Sequence, residues 1–165
     1  AGLELQQIDA LAFGRGPGAF TGVRIATGIV QGLALAVAKP VLPVSTLAAL
    51  AQQAYREQQA EQVLVAVDAR MGEVYWGQYV LVDGVMQLQG EEYVLAPADA
   101  PLPDANPDLN SESGSGSRWL AVGSGWREYA NVLQPRFSSL TDACQADYLP
   151  HAEYIAELAL TGWER

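Results

Sequence analysis

Apolar residues fall in short blocks near the start of the chain and in longer alternating runs in its middle. Residues 3–8 read as the tail of a helix. Ala10 to Phe13 is a short apolar strand, followed at once by Gly14-Arg15-Gly16-Pro17-Gly18. Thr21 stands where an N-cap belongs, and residues 22–38 predict a helix that stops before Pro40. Val41 to Val44 is a second strand, and Ser45 or Thr46 caps a helix running to about Gln58. Strand, helix, strand, helix at this spacing implies a parallel sheet with helices on its faces.

From Val63 onward the pattern turns β-rich. Val63 to Val67 predicts a buried strand and Val74 to Val82 a second. Asp83-Gly84 is a hairpin turn leading into Val85 to Leu88, and Glu92 to Leu95 adds an edge strand. Residues 97–118 hold four prolines and a Ser/Gly run, which predicts a flexible surface loop before a strand at Trp119 to Gly123. Pro150 fits the first turn of a helix over 151–160 with Ile155, Leu158 and Ala159 on one face. There is no internal repeat.

Composition narrows the function classes. The chain has 165 residues, half of them apolar and 17% charged, so a packed core is expected. Nine Lys and Arg against 19 Asp and Glu leave a net charge of -10, which argues against binding nucleic acid unaided. Lys39 is the single lysine. One cysteine and one histidine exclude a disulfide framework and an HExxH metal pair within these residues. Cys144 is expected to be a small core residue. The longest apolar run is broken by Arg24, Thr27 and Gln31, which predicts no membrane-spanning helix. The chain opens at Ala1 as though inside a longer protein.

Three segments carry candidate chemistry. A glycine-rich turn between a strand and a helix suits phosphate, because backbone N–H groups and the helix dipole point at the anion. Here no Lys-Ser/Thr pair follows the glycines, and no acidic residue ends the next strand. Gly14, Gly16, Pro17, Gly18 and Gly22 are therefore read first as permitting a tight turn and close helix docking. The helix 22–38 is apolar nearly all round, which predicts burial on more than one side. Its polar stripe, Arg24, Thr27 and Gln31, also carries Gly28 and Gly32, each costing about 1 kcal/mol relative to alanine. That cost points either to packing within the chain or to close approach of a partner helix. Asp68, Arg70 and Glu73 cluster at a turn between two strands. They are read as a hydrogen-bonded turn with an Arg–carboxylate pair, or as a site where Asp68 acts as general base or magnesium ligand. His151 and Glu153 read as a solvated helix start. The aromatic residues Tyr75, Trp76, Tyr79, Trp119 and Trp126 read mostly as core.

The segments GRGPGAFTGVRIATGIVQGLALA at 14–36, PVSTLAALA at 43–51 and VDARMGEVYWGQY at 67–79 closely resemble the bacterial TsaB (YeaZ) family, with 97–118 the least similar part. The resemblance implies an α/β fold of the actin/Hsp70/sugar-kinase type with two related lobes. One is 1–58 plus 147–165, incomplete at its N-terminus; the other is 59–146. The family's leading β-hairpin and the tail beyond its last helix have no counterpart here, so the chain looks like an internal fragment.

The resemblance also implies a role: a non-catalytic partner subunit for TsaD in forming N6-threonylcarbamoyladenosine beside the anticodon of ANN-decoding tRNAs. TsaE would join the larger complex, a homodimer would form without TsaD, and the location would be cytoplasmic. The contact would be the helix 22–38 through Arg24, Thr27, Gly28, Gln31, Gly32 and Leu35. No catalytic residue, metal or cofactor is expected in this chain. Older links of the family to metallopeptidases find no support in a single histidine. The alternative is a nucleotide-dependent phosphotransferase or ATPase using the Gly14–Gly22 loop and Asp68.

Overall fold

The computed structural model describes residue 2, residues 4–103 and residues 118–163. Leu5–Gln7 form one 3-10 turn where a helix tail was expected. Strand β1 (Leu11–Gly14), helix α1 (Phe20–Val37), strand β2 (Val41–Val44) and helix α2 (Thr46–Gln58) follow in the expected order. β1 and β2 pair in parallel, Leu11 opposite Val41 through Gly14 opposite Val44. Thr21 is not the cap of α1. Its first turn closes earlier, with the Val23 N–H donating to Ala19 O at 3.1 Å, so Thr21 lies inside the helix. Ala38 in the left-handed region ends α1 ahead of Pro40. Of the two candidates, Ser45 is the cap of α2: its Oγ accepts the N–H groups of Leu47 at 3.1 Å and Ala48 at 3.4 Å.

The second sheet comprises β3 (Gln62–Arg70), β4 (Glu73–Val82), β5 (Val85–Leu88), β6 (Tyr93–Leu95), β7 (Trp119–Val122) and β8 (Thr141–Gln145). Its order is β5-β4-β3-β7-β8, with β6 also pairing β4. The β4–β5 turn is Asp83-Gly84, both residues at positive φ (51° and 80°), as a two-residue hairpin requires. β7 and β8 run parallel, so the chain between them must cross over. It does so through α3 (Gly125–Glu128) and α4 (Ala130–Phe137), neither anticipated. α5 (Ala152–Trp163) closes the described chain, packing on β1, β2 and α2. Pro150 lies just ahead of it rather than in its first turn.

β3 is buried on both faces, which explains its unbroken apolar run. Val63 and Val65 meet Leu47, Leu50, Ala51 and Ala54 of α2. Leu64 and Ala66 meet Trp76, Trp126, Leu133 and Phe137 beneath α3 and α4. Trp76, Trp126 and Phe137 stack with ring centroids 5.1–5.8 Å apart. The turn from β7 into α3 needs glycine twice. A Cβ on Gly123 would stand 2.5 Å from Ala66 O, and one on Gly125 3.0 Å from it.

The start of the proline-rich stretch is not loose: Pro97–Asp99 form a 3-10 turn, and Ala100 is fully buried. Its carbonyls are occupied, with Arg136 donating to Ala100 O and Gln78 to Pro101 O. The flexible loop expected at 97–118 falls otherwise on 104–117, outside the described residues. Cys144 is exposed, because β8 stands at the end of the sheet and presents it outward. Finally, α1 is long and apolar enough to cross a membrane by length and composition, 18 residues with hydropathy 1.5, despite its polar breaks. Its least exposed stripe nevertheless lies on β1 and β2, as in a globular helix.

Candidate functional site: an open helix and a filled loop

Helix α1 turns only one narrow stripe inward: Val23, Ala26, Thr27, Val30, Ala34 and Val37 are its less exposed residues, and Val30 alone is buried. Burial on several sides, expected from its composition, is therefore not met among the described residues. Phe20 is 69% exposed, Ile25 57%, Ile29 59% and Leu35 86%. A Cβ built on Gly28 or Gly32 meets nothing within 4 Å. Arg24, Gly28, Gln31, Gly32 and Leu35 all lie on this open surface. Thr27 does not. It is partly buried, and its hydroxyl donates to Val23 O at 2.8 Å, closing on its own helix. The Arg24 guanidinium lies over the Phe20 ring at 3.8 Å, so the one cation of the helix covers an aromatic at its start.

The glycine loop lies between β1 and α1 and is stitched to the start of α2. Arg15 N–H donates to Val44 O at 2.8 Å, and Thr46 N–H donates to Gly16 O at 2.9 Å. Gly16 has φ 96°, a conformation that requires glycine. Gly14 is tight for another reason: a Cβ there would come within 3.2 Å of Ile155 of α5. The hollow beside the loop is lined by Gly14, Gly18, Gly22, Val23, Thr46, Pro150 and Ile155 among others, with no charged side chain in its lining. A phosphate placed there would find neither a lysine nor an arginine.

The cation of the loop, Arg15, points elsewhere. Its Nη2 stands 3.6 Å from Glu92 Oε2. Glu92 Oε1 accepts the hydroxyls of Ser45 and of Tyr79, the latter at 2.6 Å. Burial first, and then the bond to Glu92, push the Tyr79 phenol far above its ordinary pKa, so it remains a donor. This cluster was not legible in the sequence. Arg15, Ser45, Tyr79 and Glu92 share no spacing, and only the fold brings them together.

The Asp68 cluster forms a tight turn. The Asp68 Oδ1 accepts the Arg70 N–H at 2.9 Å and the Tyr129 hydroxyl at 3.1 Å, while Arg70 pairs with Oδ2 at 3.4 Å. Arg70, Met71 and Gly72 all have positive φ, and the strand register shifts between Asp68 and Arg70. Glu73, on the other side of the turn, pairs in register with Arg70. Among the described residues no group of three His, Cys, Asp or Glu side chains could hold a metal ion.

Comparison with known proteins places this arrangement. The profile of the family TsaD, tRNA N6-adenosine threonylcarbamoyltransferase, matches residues 1–161. The tRNA threonylcarbamoyladenosine biosynthesis protein TsaB of Haemophilus influenzae is 41% identical over 163 residues, 96% of this chain and 64% of that protein. The chain thus spans less than two thirds of the length of that relative. Two solved Pseudomonas aeruginosa structures superpose on it. YeaZ gives a TM-score of 0.84 at 49% identity, covering 99% of this chain and 71% of that one. A protein described as uncharacterized, with similarity to peptidase YeaZ, gives 0.81 at 48%, covering 99% and 70%. With the glycine loop, the open helix and the two sheets all inside the matched span, the chain belongs to the TsaB (YeaZ) family, relatives of TsaD.

Proposed function

We propose that the chain is a non-catalytic partner subunit in the formation of N6-threonylcarbamoyladenosine on tRNA, and that it presents the open face of α1 to TsaD. In this reading β1–β2 with α1, α2 and α5 form one lobe of an actin/Hsp70/sugar-kinase-type fold. The six-stranded sheet with α3 and α4 forms the other, and TsaE joins the larger assembly in the cytoplasm. Self-association through the same helix takes the place of TsaD when it is absent.

The observation that carries the reading is the apolar surface of α1. Exposed Phe20, Ile25, Ile29 and Leu35 flank two glycines with open space above them, an arrangement that lets another helix approach nearer than the usual 8–10 Å. The test is Gly28→Leu. With nothing near the new side chain, the fold is kept while self-association and TsaD capture are lost, seen by sedimentation and pull-down. A variant that loses thermal stability yet still associates normally would overturn the reading.

The uncharged hollow beside the glycine loop speaks against the phosphotransferase alternative. Titration of Mg-ATP into the chain checks this: a dissociation constant near 1 μM, about -8 kcal/mol, would revive it. With net charge -10 the chain alone is expected not to shift tRNA in a mobility assay.

A further inference from the structure

The junction between the glycine loop and α2 contains the parts of an anion site. Arg15 supplies a cation, Ser45 and Tyr79 supply hydroxyl donors, and thirteen-residue α2 begins there. Each donor is already directed at one group. Glu92, arriving from the segment between β5 and β6, accepts both hydroxyls on Oε1 and faces Arg15 with Oε2 at 3.6 Å. Its side chain is 19% exposed, against 54% for Arg15, so the carboxylate sits well inside the junction. The surroundings are shaped for this contact. A Cβ on Gly77 would stand 2.8 Å from the Tyr79 ring, so glycine at 77 is what lets that ring lie back and aim its hydroxyl at Glu92. The same Ser45 oxygen that donates to Glu92 accepts the Leu47 and Ala48 N–H groups in the first turn of α2, linking the carboxylate to the helix dipole through one hydroxyl.

We propose that Glu92 is the resident anion of this junction. A carboxylate delivered by the second sheet fills an anion cradle built by the glycine loop and the start of α2. It locks the loop to that sheet and closes the cradle to free phosphate or carboxylate. The proposal is independent of which protein α1 meets, since all four residues lie on this chain.

Chemical rescue tests it. Glu92→Ala empties the cradle and leaves Arg15, Ser45 and Tyr79 in place. Its melting temperature in sodium chloride is expected to fall by about 5 °C. Sodium acetate or sodium phosphate at matched ionic strength is then expected to restore about half of that loss, by binding the native state. The unaltered chain, its cradle filled, gains only the general stabilisation that such salts give any folded protein, so the rescue is read as the variant's gain in excess of that. Acetate acting alone would identify the cradle as carboxylate-shaped, and phosphate acting as well would show that a free phosphate fits once Glu92 is gone. No advantage of either anion over chloride, or an equal gain in the unaltered chain, overturns the proposal. Should Glu92→Ala fail to fold, Glu92→Gln decides. Its amide oxygen still accepts from Ser45 and Tyr79 while the charge facing Arg15 is lost. Amide exchange at Arg15 and Thr46, whose N–H groups hold the loop through Val44 O and Gly16 O, is then expected to quicken about tenfold, with the β3 core unchanged. Exchange at the loop equal to that of the unaltered chain overturns the proposal.

Discussion

Helices α1 and α2 each follow a strand of the same parallel pair, yet composition and burial run in opposite directions in them. α1 is apolar along nearly its whole length and has one buried residue, Val30. α2 carries Gln52, Gln53, Arg56 and Glu57 and buries Leu47, Ala49, Leu50, Ala51, Gln52, Gln53 and Ala54. The difference lies in what the fold supplies. α2 lies between the second sheet and α5, and its Gln52 bonds to both. Among the described residues α1 packs mainly on β1 and β2, so its apolar surplus faces outward. A hydrophobic helix is therefore not evidence of a core. In this chain it marks surface that the described residues leave uncovered.

The largest expected effect comes from truncating one leucine in each helix. Leu50→Ala removes a fully buried side chain of the α2 cluster and should cost about 2–5 kcal/mol in urea denaturation. Leu35→Ala, on exposed α1, should change stability by no more than about 0.5 kcal/mol. Equal losses would erase the contrast. Next is Gln52→Leu. The amide accepts the Met86 N–H at 2.9 Å and donates to Gly84 O at 3.2 Å and to Glu157 at 2.8 Å. Replacing it strands buried backbone groups, an expected loss of about 1–3 kcal/mol in the same assay.

Gly32→Ala sharpens the comparison from the other side. A methyl there meets open space, so the variant should gain up to about 1 kcal/mol from helix propensity. A loss instead would mean that this chain itself packs against the position. The smallest effect is in acid. Gln53, donating to Glu57 at 2.9 Å, and then Tyr148 and Tyr154, hold the Glu57 carboxyl below the ordinary range. A depressed folded pKa adds stability above the usual carboxylate value, and that stability disappears as pH falls through the folded one. Glu57→Gln should flatten the acid limb of a stability–pH curve slightly, because the group is exposed to solvent.

Much of the architecture was legible because local chemistry and tertiary structure agree. β2 and β5 occupy the expected residues, one starting after Pro40 and the other after the Asp83-Gly84 turn. β8 was not legible. Thr141-Asp142-Ala143-Cys144-Gln145 lacks an apolar face because it ends the sheet. α3 and α4 are short, begin around Gly125 and contain Pro135, so no helical period builds up. On the candidate surface, five of the six expected α1 residues face outward. Thr27 was assigned to that stripe because its hydroxyl was counted as polar, whereas it is satisfied by Val23 O. Glu92 was missed because its partners lie 13 and 47 residues away.

The Gln52 amide also has a consequence for solubility. β5 is an outer strand of the six-stranded sheet, and an outer strand offers unpaired N–H groups on which a strand from another molecule can grow. Gln52 occupies the Met86 N–H from within its own chain. A newcomer strand would have to displace a buried amide that also holds Gly84 and Glu157. The side chain thus works as a stopper against templated aggregation at that end of the sheet.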